Sequence, residues 1–302
     1  MSPSPATNAL QYWLSEHPAI VNFRWTTTLW GSTWYFLVSA VALYILAAVL
    51  LHLLLSLLLS PRRRVPLGPI PAAHSLAVSL LSAAIFAGTL LSAAAEIRDT
   101  RWLWRRRTKN YNALQWLLCF PIGTRASGRV FFWSYAFYLS RFLHLLRTFL
   151  VVLRRRKLSA FTLLNQSFLL VTSFLWLEFS QSFQVLAILL TSLLYAVVYG
   201  YRFWTAAGLP GARPRFGFVV NCQVVLLCCN LVCHSAVLLL HLSGGGCNGI
   251  GAWGFNSVLN GVILLLVFKF YIGMRWRRKR GSGDEGVDGE EGSHRRAAGK
   301  EE

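Results

Sequence analysis

The chain has 302 residues, of which 55% are hydrophobic and 14% charged, and it carries a formal net charge of +19. That is more apolar than a soluble domain of this length needs to be. The basic residues stand in short clusters beside long apolar runs, which argues against nucleic acid as a partner and for the positive-inside pattern of a multi-pass membrane protein embedded in lipid.

Residues 1–33 are aromatic and polar and lack a compact apolar core after a basic start, so they predict a lumenal segment with no cleavable signal peptide. A transmembrane helix needs about 20 predominantly apolar residues to cross a core of about 30 Å. Seven stretches meet this: 34–59, 72–95, 130–153, 158–177, 183–204, 218–242 and 252–274. The expected fold is an all-α integral membrane protein, with a seven-helix domain over 34–274 and a basic, then disordered, tail over 275–302. With seven crossings, the basic clusters at 62–64, 154–157, Arg213 with Arg215, and 275–280 fall on one side. That side must be the cytosol, which leaves the N-terminus lumenal and the C-terminus cytosolic. The stretch 96–129 runs against this rule, since it holds Arg98, Arg101, Arg105, Arg106, Arg107 and Lys109, and is read as a longer lumenal loop that tolerates the violation. Cys119 in that loop and Cys247 before the last span then both face an oxidising lumen. Two readings stay open for them, a disulfide or two unrelated thiols.

Polar groups are costly in hydrocarbon, so those inside spans turn toward the protein interior. The third span carries Arg141, His144 and Arg147 at spacing i, i+3, i+6, along one side of a helix. The next spans carry Thr162, Asn165 and Gln166; then Tyr195, Tyr199, Tyr201 and Arg202; then Asn221, Gln223, Asn230 and His234; then Asn256 and Asn260. Ordinary interhelical hydrogen bonds explain any one set, whereas a polar side on five consecutive spans predicts a polar or amphipathic chamber. No GxxxxGK[ST], GxGxxG, HExxH or GxSxG motif stands in a suitable context. Cys228, Cys229, Cys233 and His234 have no zinc-like spacing and read as buried small groups, so no metal and no cofactor is expected. His17, His52, His74 and His241 read as interfacial or structural.

A set of landmarks then appears in order: YWLSEHPAIVNFRW from Tyr12, HSLAVSLLS from His74, CFP from Cys119, FFW and FYLSR between Phe131 and Arg141, LWLEFSQS from Leu175, VVYGY from Val197, NCQ from Asn221 and GCNGI from Gly246. In this the chain resembles the ELO family of very-long-chain fatty acid elongases, and within it the plant ELO-like proteins. The resemblance implies an endoplasmic reticulum membrane protein with seven helices, six of them forming a barrel around a central tunnel. It implies condensation of a long-chain acyl-CoA with malonyl-CoA, which releases carbon dioxide and a 3-oxoacyl-CoA two carbons longer. Both thioesters are substrates, and other enzymes of the elongation cycle, or a second copy of the chain, are the implied protein partners. Family members also carry a lumenal disulfide, which suits Cys119 and Cys247.

The family's chemistry rests on an HxxHH box, because an imidazole near neutral pH is both a nucleophile and a proton shuttle. Aligned on LWLEFSQS and VVYGY, that box falls on Thr162, Asn165 and Gln166, which hold no imidazole. The family's K-x-x-E-x-x-D-T falls on Arg141, His144, Arg147 and Thr148, so both carboxylates are replaced. The histidine of H-x-x-M-Y-x-Y-Y falls on Tyr195 and its last tyrosine on Arg202, while Tyr199 and Tyr201 survive. Of T-x-x-Q-x-x-Q only the middle glutamine remains, as Gln223. Two functions are therefore expected. One is a condensing enzyme with His144 as a displaced nucleophile. The other is an inactive ELO-fold protein that binds acyl chains or acyl-CoA through Arg141, Arg147, Tyr195, Tyr199, Tyr201, Asn221 and Gln223 and modulates the elongase complex.

Overall fold

The structure, a computed structural model, describes residues 9–58, 66–107, 113–155, 158–209, 216–243, 245–266 and 268–269, with the backbone alone over 100–107 and at 216. The basic runs at 62–64 and 275–280, Lys109, Lys157, Arg213, Arg215 and the tail expected to be disordered lie outside the described residues. The chain divides into two compact units, Met1–Ser257 and Val258–Glu302.

A π-helical turn, Tyr12–Glu16, precedes α1 (Pro18–Val21). The long helices follow as α2 (Trp34–Leu58), α3 (Ile70–Arg107), the short α4 (Ala113–Leu118), α5 (Arg129–Leu153), α6 (Ala160–Glu178), α7 (Gln184–Ala206) and α8 (Phe216–Ser243). Six of these helices are long and apolar enough to cross a membrane. The seventh expected crossing, 252–274, overlaps a shorter apolar helix, α9 (Ile250–Leu266), and its expected end lies outside the described residues.

One expectation is corrected. The loop expected from residue 96 onward is helical as far as Arg107. The sequence EIRDTRWLWRRR contains neither glycine nor proline, so nothing in it interrupts the helical hydrogen-bond ladder once the apolar part of α3 ends. The extension is also tied to its surroundings, since Asp99 pairs with Arg129 at 2.6 Å and Arg98 lies 3.8 Å from Glu16.

Within the first unit α5 is central. On one side Tyr138 and Leu145 pack with Leu37 and Tyr44 of α2 and with Leu170 and Phe174 of α6. On the other, Trp133 and Phe137 pack with Ile85 of α3, Ala187 and Ile188 of α7 and Val237 of α8. Lipid tails are as apolar as leucine, so such contacts depend on close fit and on hydrogen bonds rather than on exclusion of water. Gly88 of α3 provides the closest fit, because a Cβ there would stand 2.0 Å from the Trp133 ring. Ser79 of α3 donates to the Ala196 carbonyl of α7 at 2.7 Å, and the Tyr44 and Thr148 hydroxyls meet at 2.8 Å between α2 and α5.

The N-terminal segment is held on the loop that leads into α5 and on the end of α6. Trp25 N–H donates to Ala126 at 2.9 Å and Gly128 N–H to Phe23 at 2.8 Å, while the Trp25 indole donates to Glu178 at 2.9 Å. At the same helix ends Asn248 acts as a clamp. Its carbonyl accepts from Ser182 N–H at 3.1 Å and from the Ser182 hydroxyl at 2.8 Å, and its side-chain amide donates to Ser180 O at 3.0 Å. Asn248 N–H donates to Phe120 O at 2.9 Å. Cys119 and Cys247 stand beside this clamp, joined by a disulfide with Cα atoms 5.1 Å apart.

Candidate ligand-binding site

The spacing of Arg141, His144 and Arg147 sets all three on one side of α5, and α7 supplies Tyr195 and Tyr199 against them. Arg141 and His144 are each only 2% exposed. The Arg141 guanidinium carbon lies 4.0 Å from the Phe137 ring centroid and 4.9 Å from that of Tyr195. Its Nη2 donates to the Ser140 hydroxyl at 3.3 Å, and its Nε and Nη1 have no hydrogen-bond partner among the described residues. The His144 Nδ1 shares a hydrogen bond of 3.1 Å with the Tyr199 hydroxyl, its ring centroid is 4.8 Å from that of Tyr195, and its Nε2 has no partner among the described residues.

This pair is unusual in electrostatic terms. An arginine stays protonated in proteins, so a buried one normally sits against a carboxylate. The ion pairs among the described residues involve Arg98, Arg129, Glu16 and Asp99 instead, at the far end of α3. Stacking on two aromatic faces offsets part of the desolvation cost of Arg141 but leaves two nitrogen donors unused.

Tyr199 also lines an open cavity of about 490 Å³. The cavity is formed by the start of α3, the ends of α5 and α7 and the start of α8, with His74, Arg147, Arg154, Tyr201 and Arg202 among its lining residues. Arg202 lies 5.1 Å and Arg147 5.9 Å from the Tyr199 ring centroid. The His74 Nε2 meets the Leu143 carbonyl oxygen at 3.0 Å. Among the described residues, three lining guanidinium groups and no lining carboxylate make this basin an attractor for anions, and the fork of an arginine suits phosphate in particular.

The structure thus gathers Arg141, His144, Arg147, Tyr195, Tyr199 and Tyr201. It does not bring Thr162, Asn165 and Gln166 to the cavity, for they lie half-buried in the first turns of α6 and do not line it. Asn221 is exposed and Gln223 half-buried, and Val219 is what α8 contributes to the lining. Sequence reasoning did not assign the lining residues His74 and Arg154 to the chamber, and it put Arg202 on the chamber's polar side without counting it among the binding residues. His74 opens one of the landmarks and Arg202 replaces a family tyrosine, so both carried a signal, whereas Arg154 stood in a cluster used only for orientation. Among the described residues no group of three or more His, Cys, Asp or Glu side chains is placed to hold a metal ion.

The model of the family described as "ELO: GNS1/SUR4 family" matches residues 29–282. The chain belongs to the ELO family. A relative from Arabidopsis thaliana, described as fatty acid elongase 3-like, is 63% identical over 275 residues, covering 90% of this chain and 94% of that protein. No solved structure matches it. Fatty acid elongation is the general process of this family, and this ELO protein is a multi-pass membrane protein. Its landmarks now have places. CFP, LWLEFSQS and GCNGI meet at the Asn248 clamp, while HSLAVSLLS and VVYGY contribute His74, Ser75, Tyr199 and Tyr201 to the cavity at the opposite helix ends.

Proposed function

We propose that this ELO protein binds long-chain acyl-CoA at the endoplasmic reticulum membrane and serves fatty acid elongation as a ligand-binding member of the elongase complex. The observation that carries this is the cationic cavity, where Arg147, Arg154 and Arg202 surround an open volume and no carboxylate among the described residues lines it. The phosphates of CoA are the ligand groups that such a basin recognises. In this reading the N-terminus is lumenal, the cavity opens to the cytosol where acyl-CoA is dissolved, and α9 completes a seventh crossing. The family's six-helix barrel then encloses the acyl chain. The absence of an imidazole at Thr162, Asn165 and Gln166 supports binding without the histidine-box chemistry.

The test is a titration of the purified protein in lipid nanodiscs with stearoyl-CoA. Replacing Arg147, Arg154 and Arg202 together by glutamine is expected to weaken binding about ten-fold or more. Affinity that survives the triple replacement sinks the proposal.

A second reading, condensation of acyl-CoA with malonyl-CoA, is favoured by one feature, the unpartnered His144 Nε2. With Nδ1–H donating to Tyr199, the Nε2 lone pair attacks the thioester carbonyl, the C–S bond breaks, and the departing CoA thiolate takes up the Nδ1 proton by way of the Tyr199 hydroxyl. The carbanion formed when malonyl-CoA loses carbon dioxide then takes the acyl group, giving 3-oxoacyl-CoA. Mass spectrometry after incubation with stearoyl-CoA is expected to find an acyl adduct on His144, and product that persists in His144→Ala defeats this reading.

A further inference from the structure

The open cavity does not account for the pair behind it. Arg141 precedes Arg147 by six residues on α5, which sets it about 9 Å along the helix at about 1.5 Å per residue. It is stacked between Phe137 and Tyr195, 2% exposed, and two of its three nitrogens lack a partner. His144, also 2% exposed, offers a third unpartnered nitrogen one turn further along the same side. A fixed positive charge with idle donors, inside a span and in none of the ion pairs of the described residues, is a costly arrangement that an arriving anion would relieve.

We infer that Arg141, with His144 beside it, is a binding site for an alkyl carboxylate. The faces of the guanidinium are covered, by the Phe137 ring at 4.0 Å and the Tyr195 ring at 4.9 Å, so an anion can meet it only in its own plane, at its N–H edge. A carboxylate is planar and can accept from a guanidinium edge in that plane, whereas a tetrahedral phosphate suits the wide outer cavity. When the Tyr199 hydroxyl donates to Nδ1, the His144 Nε2 carries the proton and becomes a further donor to the same anion. Tyr199 separates this inner site from the outer cavity and is touched from both sides, so a ligand carboxylate enters past it. The carboxylate has two possible sources, the head group of a free long-chain fatty acid and the malonyl group of malonyl-CoA. This inference rests on the ligand-binding reading given above and assigns the deeper part of that site.

The experiment compares matched ligands on the full-length protein in nanodiscs. Palmitate is set against methyl palmitate, and malonyl-CoA against acetyl-CoA, each pair differing chiefly in one carboxylate. The carboxylate of at least one pair is expected to bind about ten-fold more tightly than its partner, and Arg141→Gln is expected to remove that preference. Whichever pair discriminates identifies the source. Equal binding within both pairs, or a preference that persists in Arg141→Gln, overturns the inference. If Arg141→Gln fails to fold, Arg141→Lys and the wild-type comparison decide, since Lys keeps the charge and is expected to keep part of the preference. Loss of stearoyl-CoA binding in the triple replacement of Arg147, Arg154 and Arg202 by glutamine is read separately: if it does not occur, the acyl-CoA reading falls while the palmitate comparison still stands.

Discussion

The Tyr199 hydroxyl meets the His144 Nδ1 at 3.1 Å while the Tyr199 ring lines the cationic cavity, so this one side chain joins the buried pair to the open basin. Removing only its oxygen separates the two roles. Tyr199→Phe leaves a buried imidazole nitrogen without a partner, and a loss of about 1–2 kcal/mol in stability is expected. The ring that faces Arg147 and Arg202 remains, so stearoyl-CoA affinity is expected to change little. Thermal unfolding and ligand titration on the same preparation check both statements.

The arginines of the outer cavity act as charges reached by solvent, and screening must therefore weaken them. Stearoyl-CoA affinity is expected to fall as sodium chloride is raised, and the slope against salt is expected to flatten in Arg202→Gln. A salt response identical in the variant and the wild type would show that Arg202 does not face the ligand.

Gly88 of α3 stands directly against the Trp133 ring of α5. A methyl group there would stand 2.0 Å from the Trp133 ring, so the helices must separate or the indole must turn. That indole also donates to the Leu14 carbonyl at 2.9 Å, which ties its position to the N-terminal segment. Gly88→Ala is expected to cost about 1–3 kcal/mol or more, seen as a lowered unfolding temperature and poor yield from membranes.

The bridge between Cys119 and Cys247 spans 128 residues of sequence and stands beside the Asn248 clamp. Replacing both cysteines by serine is expected to cost about 2–5 kcal/mol. On non-reducing gels the wild type is expected to shift on reduction and the double variant not to shift. A shift that persists in the variant would mean that another pair is oxidised.

The relation between sequence and structure differs from one part of the chain to another. Apolar length made the long helices from α2 to α8 legible, because a backbone in lipid has to satisfy its hydrogen bonds internally. The spacing of Arg141, His144 and Arg147 was enough to place them on one side of α5. The limit of α3 was not legible, since a drop in hydropathy marks the end of the apolar core and not the end of a helix whose next residues still favour one. Asn221 and Gln223 seemed suited to a chamber by type, yet α8 turns them away from the cavity.

By itself, the sequence determined that this protein lies in a membrane, where its apolar helices run, and that its family's imidazoles are missing from Thr162, Asn165 and Gln166. Those are properties of composition and local order, and they need no neighbour from another helix. Only the tertiary structure decided that His74, Arg147, Arg154 and Arg202, which come from three helices or their ends, share one cavity, and that Arg141 sits behind it with donors unused. The reason is physical: helical periodicity says which residues share a face, but which faces meet depends on contacts such as Gly88 against Trp133 and Ser79 against Ala196, which join residues far apart in the chain.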